Sequence, residues 1–302
     1  MRTLTVKGVR IDDTFAEAFG MRATGVIITA GSLRWARQAA LTMTGFATSV
    51  IGCGCEAGIA SELTARQTPD RRPGVRVLLF AVSTAELQKQ LQARVAQCVL
   101  TSPGSACYAG LDGEETLRLG DAMRYFGDGW QISKRLGQRH YWRIPVMDGE
   151  FLCEATTGLT KQAVGGGNLL IMGRTSQTTL AAAEAATAAI AKVPDVITPF
   201  PGGIVRSGSK VGSKYKGVPA STNHAYCPTL RGAVVTALDP DATCVLEIVI
   251  DGLTSEAVAA AMGAGMAAII KLGPKRGATR IGAGNYGGKL GPHHYHLREL
   301  LP

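Results

Sequence analysis

Glu247 stands in the run CVLEIVIDG, where a strand would put Val245, Glu247 and Val249 on one face. A carboxylate between two valines lies at a solvated sheet edge or in a partly apolar pocket. The pocket would raise its pKa and suit it to proton transfer near neutral pH. The residues alone lean towards the solvated edge. A second candidate is GGIVRSGSKVGSKYKG at 202–217. Gly203, four residues and Gly208 begin a phosphate loop, but Ser209 and Lys210 stand in reversed order. The lysine of such a loop must reach the outer phosphates and the next hydroxyl must face magnesium, so the reversal breaks both roles. Gly212, Gly217 and Pro219 also oppose the helix that should follow. Asp251, after the apolar CVLEIVI, imitates the acidic partner of a nucleotide site without repairing the loop. What stays open is a surface loop, or a loop whose amides and Arg206, Lys210 and Lys214 hold an anionic or carbonyl-bearing ligand.

Other groups carry weaker signals. His294 and His296 in GPHHYHLREL would share a strand face, but no HExxH or paired CxxC accompanies them, so no metal site is expected. Cys53 and Cys55 lack a matching pair. NYGGKLG at 285–291 places three glycines around Lys289, as a ligand-hugging loop or a plain turn would. FGDGW predicts a turn with Trp130 over the core. In IDDTFAEAF, Asp12 and Asp13 would cap a short helix with Phe15 and Phe19 on one face.

The elements needed to position these groups come in two similar sets. GVIITA predicts a strand, then a helix from Ser32 to Gly45. TSVIGC and VRVLLFAV read as strands, Ser83 and Glu86 as a capping box opening a helix, and a last strand follows residue 98. In the second half NLLIMG, LAAAEAATAAIAK, GGIVRS, CVLEIVI, SEAVAAAMGAGMAAII and TRIGAG repeat strand, helix, strand, strand, helix, strand. The expected fold is α+β: two ferredoxin-like lobes, each an antiparallel sheet with helices on one face. The lobes span 1–148 and 149–302, and the second carries a Gly/Ser/Lys/Asn/Pro-rich insertion at 206–240. A loop that long, holding Tyr215, Tyr226 and Cys227, points to function.

At 302 residues and 46% hydrophobic, the chain can bury a substantial core. Its net charge of +9 favours anionic partners. The cations are dispersed without basic runs, which argues against nucleic acid and for an acidic small molecule or protein. Seven scattered cysteines read as reduced and cytosolic. The start MRTLTVKGVRIDDTF has no apolar segment and no run of 18 apolar residues occurs, so neither a leader nor a membrane span is expected.

Taken together and in order, IDDTFAEAF, TGFATSVIGC, RPGVRV, FGDGW, PFPGGIVRSGSKVGSK, PASTNHAYCPT, CVLEIVIDGL and AGNYGGKLG resemble the formylmethanofuran:tetrahydromethanopterin formyltransferase family over nearly the whole chain. The likeness is strongest to the versions of bacterial one-carbon pathways, which act within a complex with a formyl hydrolase. It implies two similar α/β lobes, a cytosolic homotetramer with clefts near subunit contacts, and formyl transfer between the amine of a methanofuran-type carrier and a ring nitrogen of a tetrahydromethanopterin-type pterin. Both carriers would be substrates; no permanently bound cofactor, metal, nucleic acid or membrane is implied. The acidic residue of the family's CVxE strand matches Glu247, as a proton shuttle. The loops 202–227 and 285–289 then supply candidate substrate-binding residues: Arg206, Ser207, Ser209, Lys210, Asn223, Tyr226, Asn285 and Lys289. Many relatives are strongly acidic, whereas this chain is basic, which would suit a glutamate-bearing carrier or a docking partner. His224 adds a titratable group within the insertion. The alternative is a subunit that scaffolds the complex without catalysing.

Overall fold

The computed structural model describes residues 4–301. Two long strands, Phe15–Thr29 and Thr156–Gly173, form its spine. In the first half the strands lie in the order Glu56–Leu63, Gly74–Ala81, Phe15–Thr29, Ala106–Ala109, all antiparallel. The second half repeats this as Val196–Ile197, Cys244–Gly252, Thr156–Gly173, Arg280–Gly282. The long strands pair with each other, Thr24 opposite Leu159 and Gly20 opposite Val164, so the two half-sheets are continuous. The architecture is α+β with a large, mostly antiparallel sheet.

Alternation along the strands separates two kinds of core. Val75, Val77 and Leu79 face helices Leu33–Thr44 and Thr84–Arg94, while Leu169, Ile171, Ile248 and Ile250 face helices Ser176–Ile190 and Ser255–Leu272. The opposite faces meet each other: Leu78 and Phe80 of the first half cluster with Ile197 and Leu253 of the second. Three helices begin where expected, and the one read from Leu180 begins four residues earlier, at Ser176. The Ser32, Ser83, Thr175 and Thr254 hydroxyls each accept a backbone N–H three residues on. Helix Ser255–Leu272 is long and apolar enough to cross a membrane by length and composition. Here Val258, Met262, Met266 and Ile269 are buried on the sheet, and Gly265 leaves room for Ile190 of the neighbouring helix.

Four local expectations are corrected. TSVIGC is not a strand: Ser49 caps a short helix, Val50–Cys53, which ends at left-handed Gly54, and the strand starts at Glu56. GGIVRS is not one either. Pro201 opens a 3-10 turn, Gly202 and Gly203 take φ of 62° and 79°, and Val205 alone pairs, with Glu247. Val196–Ile197 takes the second-strand position instead. IDDTFAEAF leads into the long strand, not a helix. Asp12 receives Arg280 Nε at 2.8 and 2.9 Å, and Asp13 lies 3.3 Å from Arg298. Phe15 and Phe19 still share a face, since four residues is an even step along a strand. Trp130 is 79% exposed and covers no core.

The junction at Asp148 and Gly149 is the turn of a hairpin, Arg139–Val146 with Gly149–Glu154. Phe151 and Cys153 pack into the first half's core. Residues 206–240 hold a two-residue-per-strand hairpin, Lys210–Val211 with Ala220–Ser221, and two 3-10 turns. Tyr226 and Leu238 anchor it against Leu170 and Met172.

Candidate functional site

Glu247 lies at the middle of strand Cys244–Gly252, opposite Leu170. Its backbone N–H and C=O both bond Val205, at 2.9 and 2.7 Å, which ties the chain just before residues 206–240 to this strand. The side chain points away from the helices, on the face of Val249. Among the described residues its carboxyl makes no hydrogen bond or ion pair. Burial without a compensating donor raises its pKa to about 7. The pocket reading is therefore correct and the solvated-edge reading is not.

Two cavities adjoin it. One, of about 650 Å³, has apolar walls including Phe19, Val50, Phe200 and Val249. The other, of about 550 Å³, is more polar, with Asp12, Lys210, Tyr226, Arg280 and Asn285. Four residues belong to both: Asn168, Ser209, Glu247 and Tyr286. A group with an evenly balanced proton affinity thus stands where two chambers meet, which is the geometry a group transfer between two carriers needs.

The loop over this junction is built on Glu17, enclosed at the base of the first cavity. Its Oε2 accepts the N–H groups of Tyr286 and Gly288 at 2.6 and 2.8 Å, and its Oε1 those of Leu290 and Gly291 at 2.6 and 2.8 Å. Burial works to raise this carboxyl's pKa, but the amides of Gly291, Tyr286, Leu290 and Gly288 outweigh it and bring it down to about 2. The loop needs its glycines for this wrap. Gly287 and Gly288 have φ of 79° and 72°, and a Cβ on Gly291 would lie 2.3 Å from the Ala18 carbonyl oxygen. Tyr286 stacks at 6.1 Å on Phe19, close enough for the Glu247 charge to help raise its phenol pKa after burial. Asn168 braces the other side: Nδ2 donates to the Gly166 and Gly284 carbonyls, and Oδ1 accepts the Gly284 N–H at 2.6 Å.

Of the residues expected from sequence, Ser207 and Ser209 line the first cavity, and Ser209, Lys210, Asn223, Tyr226 and Asn285 the second. Exposed Arg206 lies on a shallow depression beside Phe200, and Lys289 projects outside both chambers. Asn285 is engaged by Thr14 and the Phe15 carbonyl. His294 and His296 stack on Phe15 at 4.8 and 5.2 Å. No group of three or more His, Cys, Asp or Glu is placed to hold a metal among the described residues. Asp251, the nucleotide-site mimic, is wholly buried against Glu56. Sequence reasoning missed Glu17, Glu56, Asn168 and Tyr286. An acidic residue in an otherwise apolar strand start, as in FAEAF, is the signal that would have flagged Glu17.

Residues 4–146 match the family model for formylmethanofuran–tetrahydromethanopterin formyltransferase, and residues 149–300 match the model for the proximal lobe of the same enzyme. The chain belongs to this formyltransferase family. Over 99% of its length it is 61% identical to the complete formylmethanofuran–tetrahydromethanopterin formyltransferase of Methylococcus capsulatus. It is 56% identical, over 100% of this chain and 98% of the relative, to one of the subunits of the formyltransferase/hydrolase complex of Methylorubrum extorquens. The crystal structure of that complex with methylofuran contains a chain that superposes with a TM-score of 0.97, covering 100% of this chain and 99% of that one. The formyltransferase of Methanosarcina barkeri superposes at 0.93 with 43% identity, over 99% of this chain and 100% of that one. The chamber junction at Glu247 therefore lies in a formyltransferase framework.

Proposed function

We infer that the chain transfers a formyl group between the amine of a methanofuran-type carrier and a ring nitrogen of a tetrahydromethanopterin-type pterin, with Glu247 moving the proton. The observation that carries the residue assignment is the position of Glu247 between two chambers, with a pKa of about 7. The attacking amine adds to the formyl carbon and an oxyanion forms. The Glu247 carboxylate takes the proton of the attacking nitrogen and delivers it to the leaving one. The Ser209 and Tyr286 hydroxyls, which border both chambers, are the donors available to the oxyanion. Lys210, with Asn223, Tyr226 and Asn285 around it, receives polar and acidic parts of a carrier, while Arg206 and Lys289 attract acidic extensions from the rim. Both carriers are substrates. The decisive experiment follows formyl transfer by the purified chain, alone and within any complex that co-purifies. Full activity of Glu247→Gln would rule out Glu247 as the shuttle.

The repeated strand order supports reading each half as a ferredoxin-like lobe, divided by sequence at 148/149 with 206–240 inserted in the second. A cytoplasmic homotetramer that also docks hydrolase subunits fits the chain. The relative that belongs to a complex supports docking, as do the exposed Phe126, Trp130 and Met147. A purely scaffolding role would leave the paired chambers and the uncompensated Glu247 without a use.

A further inference from the structure

The reaction has a proton balance that Glu247 alone does not close; this step rests on the formyl-transfer reading. When the pterin nitrogen attacks, its N–H proton passes through Glu247 to the departing amine, giving R–NH2. An alkyl amine such as the furan carrier's then binds one more proton at neutral pH, as lysine does. One proton is taken up per transfer in this direction and released in the other. With both chambers filled by carriers, bulk water is kept from the leaving nitrogen.

A second carboxyl pair lies on the same strand face as Glu247. Asp251 is four residues further on, about 13 Å along a strand. Its Oδ1 accepts the Gly166 N–H at 3.1 Å. Its Oδ2 is completely buried and receives no N–H or hydroxyl donor. The group facing it is the carboxyl of Glu56, from the first half, whose Oε1 accepts the Val50 N–H at 3.1 Å. Two ionised carboxylates in that contact would repel in a site of low polarity, and a proton between them gives Asp251 its missing partner. The contact is closely packed on one side and borders the first cavity on the other, where Met21, Glu56, Gly165 and Gly166 form part of the wall. A Cβ on Gly165 would come 2.0 Å from the Met21 sulfur and 3.0 Å from Asp251 Oδ1. The Cys55 thiol, next to Glu56 in the chain, turns the other way into the helix-side core and donates to Gln90 Oε1 at 3.5 Å. No cation faces the pair among the described residues. Glu56 also borders the first cavity, together with Glu247.

We propose that Glu56 and Asp251 form a second proton holder of the active site, which protonates the carrier's amine once it has left Glu247 along the first cavity, whose wall Glu56 shares, and is recharged from solvent when the product leaves. In the step, the shared O–H bond breaks, the amine nitrogen gains the proton, and an ammonium is left facing two carboxylates that attract it. In the opposite direction the pair removes that proton, so the amine can attack. Burial, which lifts both carboxyls, fits the task, because a proton so held passes to a base as strong as an alkyl amine and not to water.

The test uses the full chain, with its complex where one co-purifies. In Glu56→Gln the amide can donate to Asp251, so the contact stays but its mobile proton is gone. The expected result is a fall of about 10²-fold in kcat for amine release, with KM for both carriers within about twofold and loss of the alkaline limb of the pH–rate profile. A wild-type kcat with that limb intact would overturn the proposal. Infrared titration of the wild-type protein is independent of any variant's folding. A protonated-carboxyl band that persists above the titration of Glu247 and disappears in Asp251→Asn supports the pair, and its absence from the wild type overturns it. Both readouts differ from failure of the formyl-transfer reading, in which wild-type protein would not transfer formyl at all while the infrared band remained.

Discussion

Glu17 and Glu247 border the same cavity, the first buried and the second partly buried, yet one carboxyl is brought down to about 2 and the other lifted to about 7. Four amides on a glycine-rich loop converge on Glu17. Glu247 meets a backbone bridge to Val205, two valines and the walls of two chambers. Burial is common to the two; the supply of N–H donors separates them. The fixed charge serves as a post around which a loop is wound, and the uncompensated one remains free to exchange a proton. On the proposed mechanism the first is architecture and the second chemistry.

The comparison is most directly broken by Glu247→Gln. Formyl transfer should fall by about 10²–10⁴-fold with an unchanged circular dichroism spectrum. In the wild type the rate of pterin attack should drop as pH falls through about 7, since the carboxylate form accepts the proton. The same variant alters stability in a defined window. A carboxyl whose folded pKa lies above its unfolded value of about 4.5 loses stability for the fold as pH rises from there through about 7, at most about 3 kcal/mol. Glu247→Gln should abolish that decline in denaturant titrations.

Glu17→Gln should lower kcat by up to about 10²-fold by displacing the loop that carries Tyr286. Its stability signature has the opposite sign. A carboxyl held near 2 stabilises the fold above its unfolded value, and that contribution is lost as pH falls from about 4.5 through about 2. The variant should flatten the acid limb of a melting-temperature profile, whereas an unaltered limb would deny the amide cluster its role. Asn168→Ala removes the brace between Gly166 and Gly284 and should cost about 1–3 kcal/mol in urea unfolding. Tyr286→Phe should have the smallest effect, about 0.5–1.5 kcal/mol of transition-state stabilisation from kcat/KM. A larger loss would raise the Tyr286 hydroxyl to the main oxyanion donor.

The apolar strand segments, the four helices with the Ser32 and Ser83 caps, and the repeated order were legible in the sequence, because hydrophobic period and hydroxyl caps are local; the Thr175 cap escapes this reading, which starts its helix four residues late. Glu247 was legible as a strand position between valines, though its pocket was not, since the walls come from residues as distant as Phe19 and Phe200. What misled was also local. VIGC has a strand's composition, but the Ser49 cap and Gly54 close it as a helical turn, and GGIVRS yields to Pro201 and two left-handed glycines. Glu17 and the Glu56–Asp251 contact were hidden because their partners lie some 270 and 195 residues away in the chain: the acid in FAEAF marks a position but not the amides it holds, and CEAGIA does not point to Asp251. Arg206 and Lys289, chosen for charge, fall on the rim because length and charge place a side chain less firmly than enclosure does.

The hairpin across the sequence junction bears on how this molecule could be taken apart. Cutting the chain between Asp148 and Gly149 would divide Arg139–Val146 from Gly149–Glu154 and strip Phe151 and Cys153 from the first core. Each fragment would then expose an unpaired strand edge, one lacking its neighbour and the other carrying it as an unsupported tail. Two separately expressed halves broken there would be prone to stick before they found each other. A cut placed past Glu154 would hand the hairpin whole to the first fragment, leaving the joined long strands Phe15–Thr29 and Thr156–Gly173 as the seam for reassembly.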